Sequence, residues 1–480
     1  FFFQILCMTA SIRVYGAARL WTCQFRQIYR HCLRCSGLNP TTRGCSCFFL
    51  YSILAAYDES RGMAETSTVS IGDNFKVRRH DGQLYPACIL ETRLLESGDI
   101  EYFVHYLECD RRLDEWVTID RIEQNSKFTS SSPPDGVLKI PGQSDGRLTR
   151  NQKRRYDEMN HVTSELDTAD SITQRLEKEH QKFTRVKFID HIRFGKYEIG
   201  TWYFSPYPEE YRKLKYLWIC EFCLKYMKFE KTWIRHMLHE CRQHQPPGRE
   251  IYKKDNIRVF EVDGDQHKLY CQNLCLLAKL FLDHKTLYYD VAPFLFYVLC
   301  EVDTTGCHIV GYFSKERFSV ENNNLACILT LPPFQRRGYG KFLISLSYEL
   351  AKIENLIGSP EKPLSDLGRL SYKSYWEKVI FNYLLEYSDS SIEEISAVTC
   401  IAPEDIIWTL QSHHAIKYWR HGRHIELSQR SLQDYLTRMA QRNRLAAQNH
   451  GPDWRPPVEL DVSCIHWTPS TKANKPVKRT

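Results

Sequence analysis

The chain has 480 residues, 42% of them hydrophobic, with 65 basic against 58 acidic side chains and 18 cysteines. That length allows about two to four domains, and the composition excludes a fibrous or wholly disordered chain. The longest apolar run, Cys47 to Tyr57, has 11 residues. It falls short of the ~20 that a membrane-spanning helix needs, which excludes a membrane span.

The net charge of +7 is unevenly spread. Residues 1–62 hold seven arginines and no lysine against Asp58 and Glu59, a net +5 that leaves +2 for everything after them. They also take six of the cysteines, begin with Phe and lack the basic start of a signal peptide, so the segment reads as a doubtful leader ahead of Met63. Within it, Cys32-x2-Cys35 and Cys45-x-Cys47 fit no common zinc spacing. The other 12 cysteines are scattered through apolar runs, as reduced intracellular thiols are.

Residues 71–125 alternate short β patterns with turns at Asp81-Gly82 and Ser97-Gly98-Asp99, which predicts a small β-barrel. Residues 126–183 read as a basic linker, with Ser130 to Pro134, a basic run from Arg147 to Arg155 and a helical pattern over 172–182. From Thr184 strands and helices mix without repeats, so the fold class is α+β. Two helical patterns around Thr399–Pro403 and a strand pair about Gly422 resemble a winged-helix element within residues 371–460. The alternative is an accessory subdomain that packs on the core. Residues 461–480 end in a basic tail.

Residues 184–250 carry Cys220-x2-Cys223-x12-His236-x4-Cys241. Three thiolates and an imidazole at these separations can close a tetrahedral zinc site, and four protein ligands make it structural rather than catalytic. His236 and Cys241 are five residues apart, about 140° around an α-helix, so the helix must end before Cys241. His239 is the alternate ligand.

Residues 251–370 contain the second site. A strand pattern from Asn324 to Leu331 leads through Gln335-Arg336-Arg337-Gly338-Tyr339-Gly340 into a helix with Leu343, Leu346, Leu350 and Ile353 on one side. The two glycines let backbone approach a ligand, and the amides of a helix start favour phosphate. A glycine pair alone is weak; strand, Q-x-x-G-x-G and amphipathic helix together are the layout of an acetyl-CoA pyrophosphate loop.

The motifs are dense enough to resemble one family. Asn273 to Tyr288, Ala326 to Thr330, Gln335 to Gly340 and Gly358-Ser-Pro-Glu-Lys-Pro-Leu-Ser-Asp-Leu-Gly368 look like the catalytic domain of the MYST lysine acetyltransferases. The barrel, with Arg111 to Val117, resembles their chromo-barrel. Thr149 to Arg155 and Gln245 to Tyr252 look most like the MOF (males-absent-on-the-first) subfamily.

That resemblance implies an acetyl-CoA-binding N-acetyltransferase-like core with a zinc finger and a C-terminal winged-helix element, preceded by a chromo-barrel. It implies Glu361 as general base and Cys327 as active-site cysteine. Direct attack by the acceptor amine is the preferred route, and an acetyl-Cys327 intermediate the other. Ile328, Thr330, Gln335, Arg336, Arg337, Gly338, Tyr339, Gly340, Lys341 and Ser365 are expected to contact acetyl-CoA, with Lys352 nearby. Lys285 matches the lysine that the family autoacetylates. The finger departs from the family by one extra residue between His236 and Cys241. Tyr85, Phe103, Tyr106 and Trp116 are a candidate barrel cage for methylated lysine, although aromatic rings in small barrels also serve as core. Arg78, Arg79, Arg111 and Arg112 suggest RNA or DNA contact.

The expected protein is a nuclear, chromosome-associated histone acetyltransferase. It acts on histones and the nucleosome, with histone H4 as acceptor, in multi-subunit complexes of the male-specific-lethal or non-specific-lethal type. The rivals are a chromatin- or nucleic-acid-binding module with an inactive transferase domain, and an acetyltransferase of non-histone proteins.

Overall fold

The structure is a computed structural model, which describes residues 69–128, 184–448 and 458–469 apart from positions 96–97, 108, 213, 389, 414, 420–421 and 426–428. The leader, the basic run 147–155, the helical pattern at 172–182 and the end of the basic tail lie outside the described residues.

Five antiparallel strands form the N-terminal barrel: β1 (Asn74–Arg78), β2 (Leu84–Leu94), β3 (Ile100–Tyr106), β4 (Glu115–Thr118) and β5 (Ile122–Phe128), in the order β4-β3-β2-β1-β5. Gly82 and Gly98 adopt the left-handed backbone that their turns require, with φ of 78° and 92°. Period-two alternation sends Tyr102, Val104 and Tyr106 of β3 into the barrel core with Phe75, Val77 and Ile89.

A small sheet follows, β6 (His191–Phe194), β7 (Tyr197–Gly200), β8 (Tyr216–Ile219) and β9 (Tyr226–Met227), ordered β7-β6-β8-β9, then helix α1 (Glu230–Arg235). The central sheet runs β10 (Arg249–Lys254), β11 (Ile257–Asp263), β12 (Phe294–Asp303), β13 (Gly306–Glu316) and β15 (Cys327–Thr330), antiparallel throughout. Helix α2 (Lys268–Lys279) lies between β11 and β12, and β14 (Asn323–Leu325) precedes β15.

Helix α3 (Tyr339–Glu354) joins two cores. Phe342, Leu343, Leu346 and Leu350 pack on the central sheet, while Ile344 and Tyr348 pack on a C-terminal helical cluster. Ile353 does not continue the apolar face; it is exposed two residues before the left-handed cap Asn355. The C-terminal cluster comprises α4 (Asp366–Glu386), α5 (Ile392–Thr399) and α6 (Pro403–Ser412), after the short strand β16 (Ser359–Pro360). The hairpin β17 (Ile416–Trp419) with β18 (Gly422–Ile425) and helix α7 (Gln429–Gln448) follow. Helix, helix, hairpin is the order of a winged-helix element.

Candidate active site

The loop from Gln335 to Gly340 is built by three backbone choices. The chain leaves β15 through a turn at Pro332–Phe334, and Arg336 and Gly338 then take left-handed conformations, φ 64° and 96°. Phe342 N–H donates to Gly338 O, so α3 starts there and its first amides face outward from the loop. Gln335 Nε2 donates to Thr330 O at 3.0 Å and ties the loop to its strand. A Cβ at Gly340 would stand 3.7 Å from Thr330 Oγ1, so this glycine leaves the face beside the strand open. Arg336, Arg337 and Lys341 are exposed around it. The Tyr339 ring is instead buried and its hydroxyl donates to Glu301, so a contact from Tyr339 has to come from its backbone. Ser365 caps α4, accepting from Gly368 N–H at 3.1 Å, and lines the cavity described next. Lys352 lies near the far end of α3 and donates to Glu349, away from the loop.

A cavity of about 140 Å³ opens at the other end of β15, lined among others by Lys285, Glu316, Cys327, Ile328 and Glu361. Parallel pairing of β14 with β16 brings its two central groups together: Glu361 N–H donates to Leu325 O at 2.8 Å, two residues before Cys327. Cys327 N–H donates to Ser314 Oγ at 3.2 Å, so this amide already has an acceptor. The Glu361 carboxyl sits at the open mouth. Partial burial raises its pKa above the ordinary glutamate value, Glu316 and Glu321 add to the rise, and Lys285 opposes it. Lys285 is buried, with Nζ 3.6 Å from Cys327 Sγ. Burial works against its charge, but Tyr312, Cys327 and Cys275 hold its pKa above the ordinary lysine value.

Sequence reasoning missed the acidic lining, Asp283, Asp290 and Glu316, which suits a cationic acceptor side chain. Nothing in the local sequence marks it, since Asp283 and Asp290 lie in the loop between α2 and β12 while Glu316 ends β13.

Cys220, Cys223, His236 and Cys241 bring four donor atoms within 4.8 Å of one another; His239 stays outside the group. The Cys220 and Cys241 sulfurs are 3.7 Å apart. That matches the edge of about 3.8 Å expected for tetrahedral zinc with ~2.3 Å bonds to sulfur. Cys223 Sγ is 3.2 Å from His236 Nε2, leaving Nδ1 to point toward Glu240 at 3.6 Å. The extra residue is absorbed by a wider turn: Cys241 N–H donates to His236 O, five residues back, at 2.7 Å. Such a π-type turn advances less per residue than an α-helix and swings Cys241 back beneath His236. The donor set fits zinc and leaves no ligand position for substrate.

The four aromatic residues of the barrel do not form one cage. Neighbouring residues of a strand point to opposite faces, so Tyr106 is core, with Tyr85 packed on that side, whereas Phe103 lies on the other face against Trp116. Trp116 stacks under the Arg93 guanidinium, 4.2 Å from its ring, and donates to Lys187 O at 3.0 Å. Arg93 also pairs with Asp190, so this face seats the barrel on the following segment. Of the four arginines, Arg111 pairs with Asp283 at 3.2 Å and Arg112 with Asp110 at 2.8 Å, while Arg78 is exposed and Arg79 lies over Tyr85.

Residues 245–450 match the MOZ/SAS family, residues 186–241 the MYST family zinc finger domain, and residues 69–124 the Tudor-knot, described as an RNA binding activity-knot of a chromodomain. Histone acetyltransferase MOF of Drosophila melanogaster is 44% identical over 83% of this chain, which spans 52% of that relative's length. Histone acetyltransferase of the MYST family 2 from Arabidopsis thaliana is 47% identical over 84% of this chain and 86% of its own. The Tip60 homolog of Caenorhabditis elegans is 42% identical over 75% of this chain and 85% of its own. With its Cys3His site, the family matches and these relatives, the chain belongs to the MYST family of histone acetyltransferases, N-acetyltransferases that use acetyl-CoA and carry a structural zinc.

Proposed function

We propose that the protein transfers acetyl from acetyl-CoA directly to the side-chain amine of a histone-tail lysine, histone H4 being the acceptor, at the chromosome in the nucleus. The observation that carries this reading is one cavity that brings together Glu361, Cys327 and an acidic lining at one end of β15, whose other end leads into the Gln335–Gly340 loop and a helix start.

A lysine amine of pKa ~10.4 is about 0.04% neutral at pH 7, a deficit of roughly 4.6 kcal/mol before it can attack. Glu361 removes that proton at the mouth, and its raised pKa suits the task better than an ordinary carboxylate. The neutral amine then attacks the thioester carbonyl, and collapse of the tetrahedral adduct breaks the C–S bond, so that CoA leaves as a thiolate and takes up a proton; Cys327 lines the pocket beside it. Trapping of an acetyl group on Cys327 without acceptor would sink the direct route. Lys285 is the proposed autoacetylation site, because its amine already lies against Cys327 inside the cavity. Exposed Arg78 and the Tudor-knot match support nucleic-acid contact by the barrel, and the MOF-like motifs support complexes of the male-specific-lethal or non-specific-lethal type.

The test is acetyl transfer from labelled acetyl-CoA to nucleosomes and an H4 peptide by wild type and Glu361→Gln, across pH. A carboxylate base works ionised, so wild-type rate should fall as pH drops through the raised Glu361 pKa. The variant should lose about 100-fold or more and that acid limb with it. Equal rates would remove the mechanism, and no transfer by either protein would favour a binding module.

A further inference from the structure

The strip of chain that carries Glu361 is gripped from both sides. On one side β16 pairs with β14, and Glu361 N–H bonds Leu325 O. On the other, Gly358 N–H donates to Cys400 O at 3.1 Å and Gly358 O accepts from Ala402 N–H at 3.2 Å. The second grip comes from the turn between α5 and α6, part of the C-terminal helical element.

Immediately after Glu361, that element supplies a side chain as well. Asp405, in the first turn of α6, is 4% exposed, and its Oδ1 lies 3.6 Å from Lys362 Nζ. It faces Ser359 of the same strip, Glu404 of its own helix, and the buried rings of Tyr348 and Tyr372 from α3 and α4. Among the described residues its Oδ2 has no hydrogen-bond partner. A half-satisfied carboxylate amid the apolar packing of Ile344, Ile380 and Ile406 is costly, and an apolar residue there would serve packing better.

We infer that Asp405 and Lys362 are positioning residues for Glu361: their ion pair, buried at its Asp405 end, ties the base-carrying loop to the C-terminal helical element and holds the Lys362 ammonium away from the Glu361 carboxylate. This rests on Glu361 acting as the base. The charged groups that face Glu361 are Glu316 from β13, Glu321 from the turn before β14, and Lys285 from the loop after α2. An ammonium released beside Glu361 would join Lys285 in favouring the carboxylate.

The experiment compares wild type, Asp405→Asn, Lys362→Met and the double variant in the full chain. It reads kcat, KM for acetyl-CoA, the pH profile of kcat, and melting temperature. Asp405→Asn should lower kcat by roughly tenfold or more through misplacement of the base, leave KM for acetyl-CoA unchanged, and move the acid limb to lower pH. Lys362→Met should lower kcat without that shift, and the double variant should restore the wild-type acid limb. Lys362 is 22% exposed and can reach water when Asp405 is neutralised, so Asp405→Asn should fold. If its kcat and acid limb match wild type, or if kcat falls only in proportion to folded protein, the inference is overturned. Glu361→Gln separates the two failures. An acid limb that survives in Glu361→Gln refutes the base itself, whereas a limb that needs Glu361 but ignores Asp405 refutes only the positioning.

Discussion

Gly358→Ala tests whether catalysis depends on the exact seat of the Glu361 strip. A Cβ at this position would stand 2.6 Å from Asn322 O, 3.0 Å from Asn324 Cβ and 3.2 Å from Asn324 N. Ordinary contact begins at 3.4 Å, so the strip must retreat from Asn322 by about 0.8 Å. It has nowhere cheap to go, because its N–H and C=O are both bonded to the Cys400–Ala402 turn behind it. Overpacking of this kind costs about 1–3 kcal/mol of stability. A displacement near 1 Å passed on to Glu361, three residues away, costs up to ~100-fold in rate. Steady-state kinetics at saturating acetyl-CoA should show kcat lowered at least ~10-fold, with KM for acetyl-CoA changed far less because the Gln335–Gly340 loop lies on a different segment. A folded Gly358→Ala protein with wild-type kcat would show that the seat tolerates the shift, and the reasoning would fail.

Zinc removal should destabilise the finger, whose own core is no more than Cys220, Phe222 and Met227 with partly buried neighbours. Zinc-finger peptides draw about 10–16 kcal/mol from their metal, so chelation should lower the melting temperature and release one zinc per chain, and an unchanged melt would count against a structural metal. Trp116→Ala removes the indole bond to Lys187 and the Arg93 stack, and should cost about 3 kcal/mol. Amide exchange over residues 184–190 should quicken with it, and unaltered exchange would mean that the barrel is not seated through this face.

The parts of the fold that were legible in the sequence are those fixed by local rules. Strands β1 to β3 follow from alternation and from the turns at Gly82 and Gly98, and the start of α3 follows from Gly338. Strands β4 and β5 were hidden, because Glu115–Thr118 is four residues long and Ile122–Phe128 carries one fully buried side chain. The candidate cage failed for a related reason. Composition supplies four rings in one barrel, but alternation puts Phe103 and Tyr106, three residues apart, on opposite faces, and a face can be read only once the strand's register is known.

The site divides in the same way. Cys220, Cys223, His236 and Cys241 were legible because ligand spacing is a local constraint, and the one irregularity, the extra residue, is met by a local device in the His236–Cys241 turn. Glu361 was singled out by its motif as the proposed base, but what holds it in place was not legible. Asp405 sits two residues after Pro403, where an acidic residue near a helix start reads as an ordinary favourable charge. Its partner is 43 residues earlier, and its burial depends on α3 and α4 closing over it. Glu361, the proposed base, can therefore be picked out with Lys362 from its neighbours in sequence, while Asp405, proposed to aim it, is visible only from its neighbours in space, and mutations chosen from the motif alone would miss Asp405.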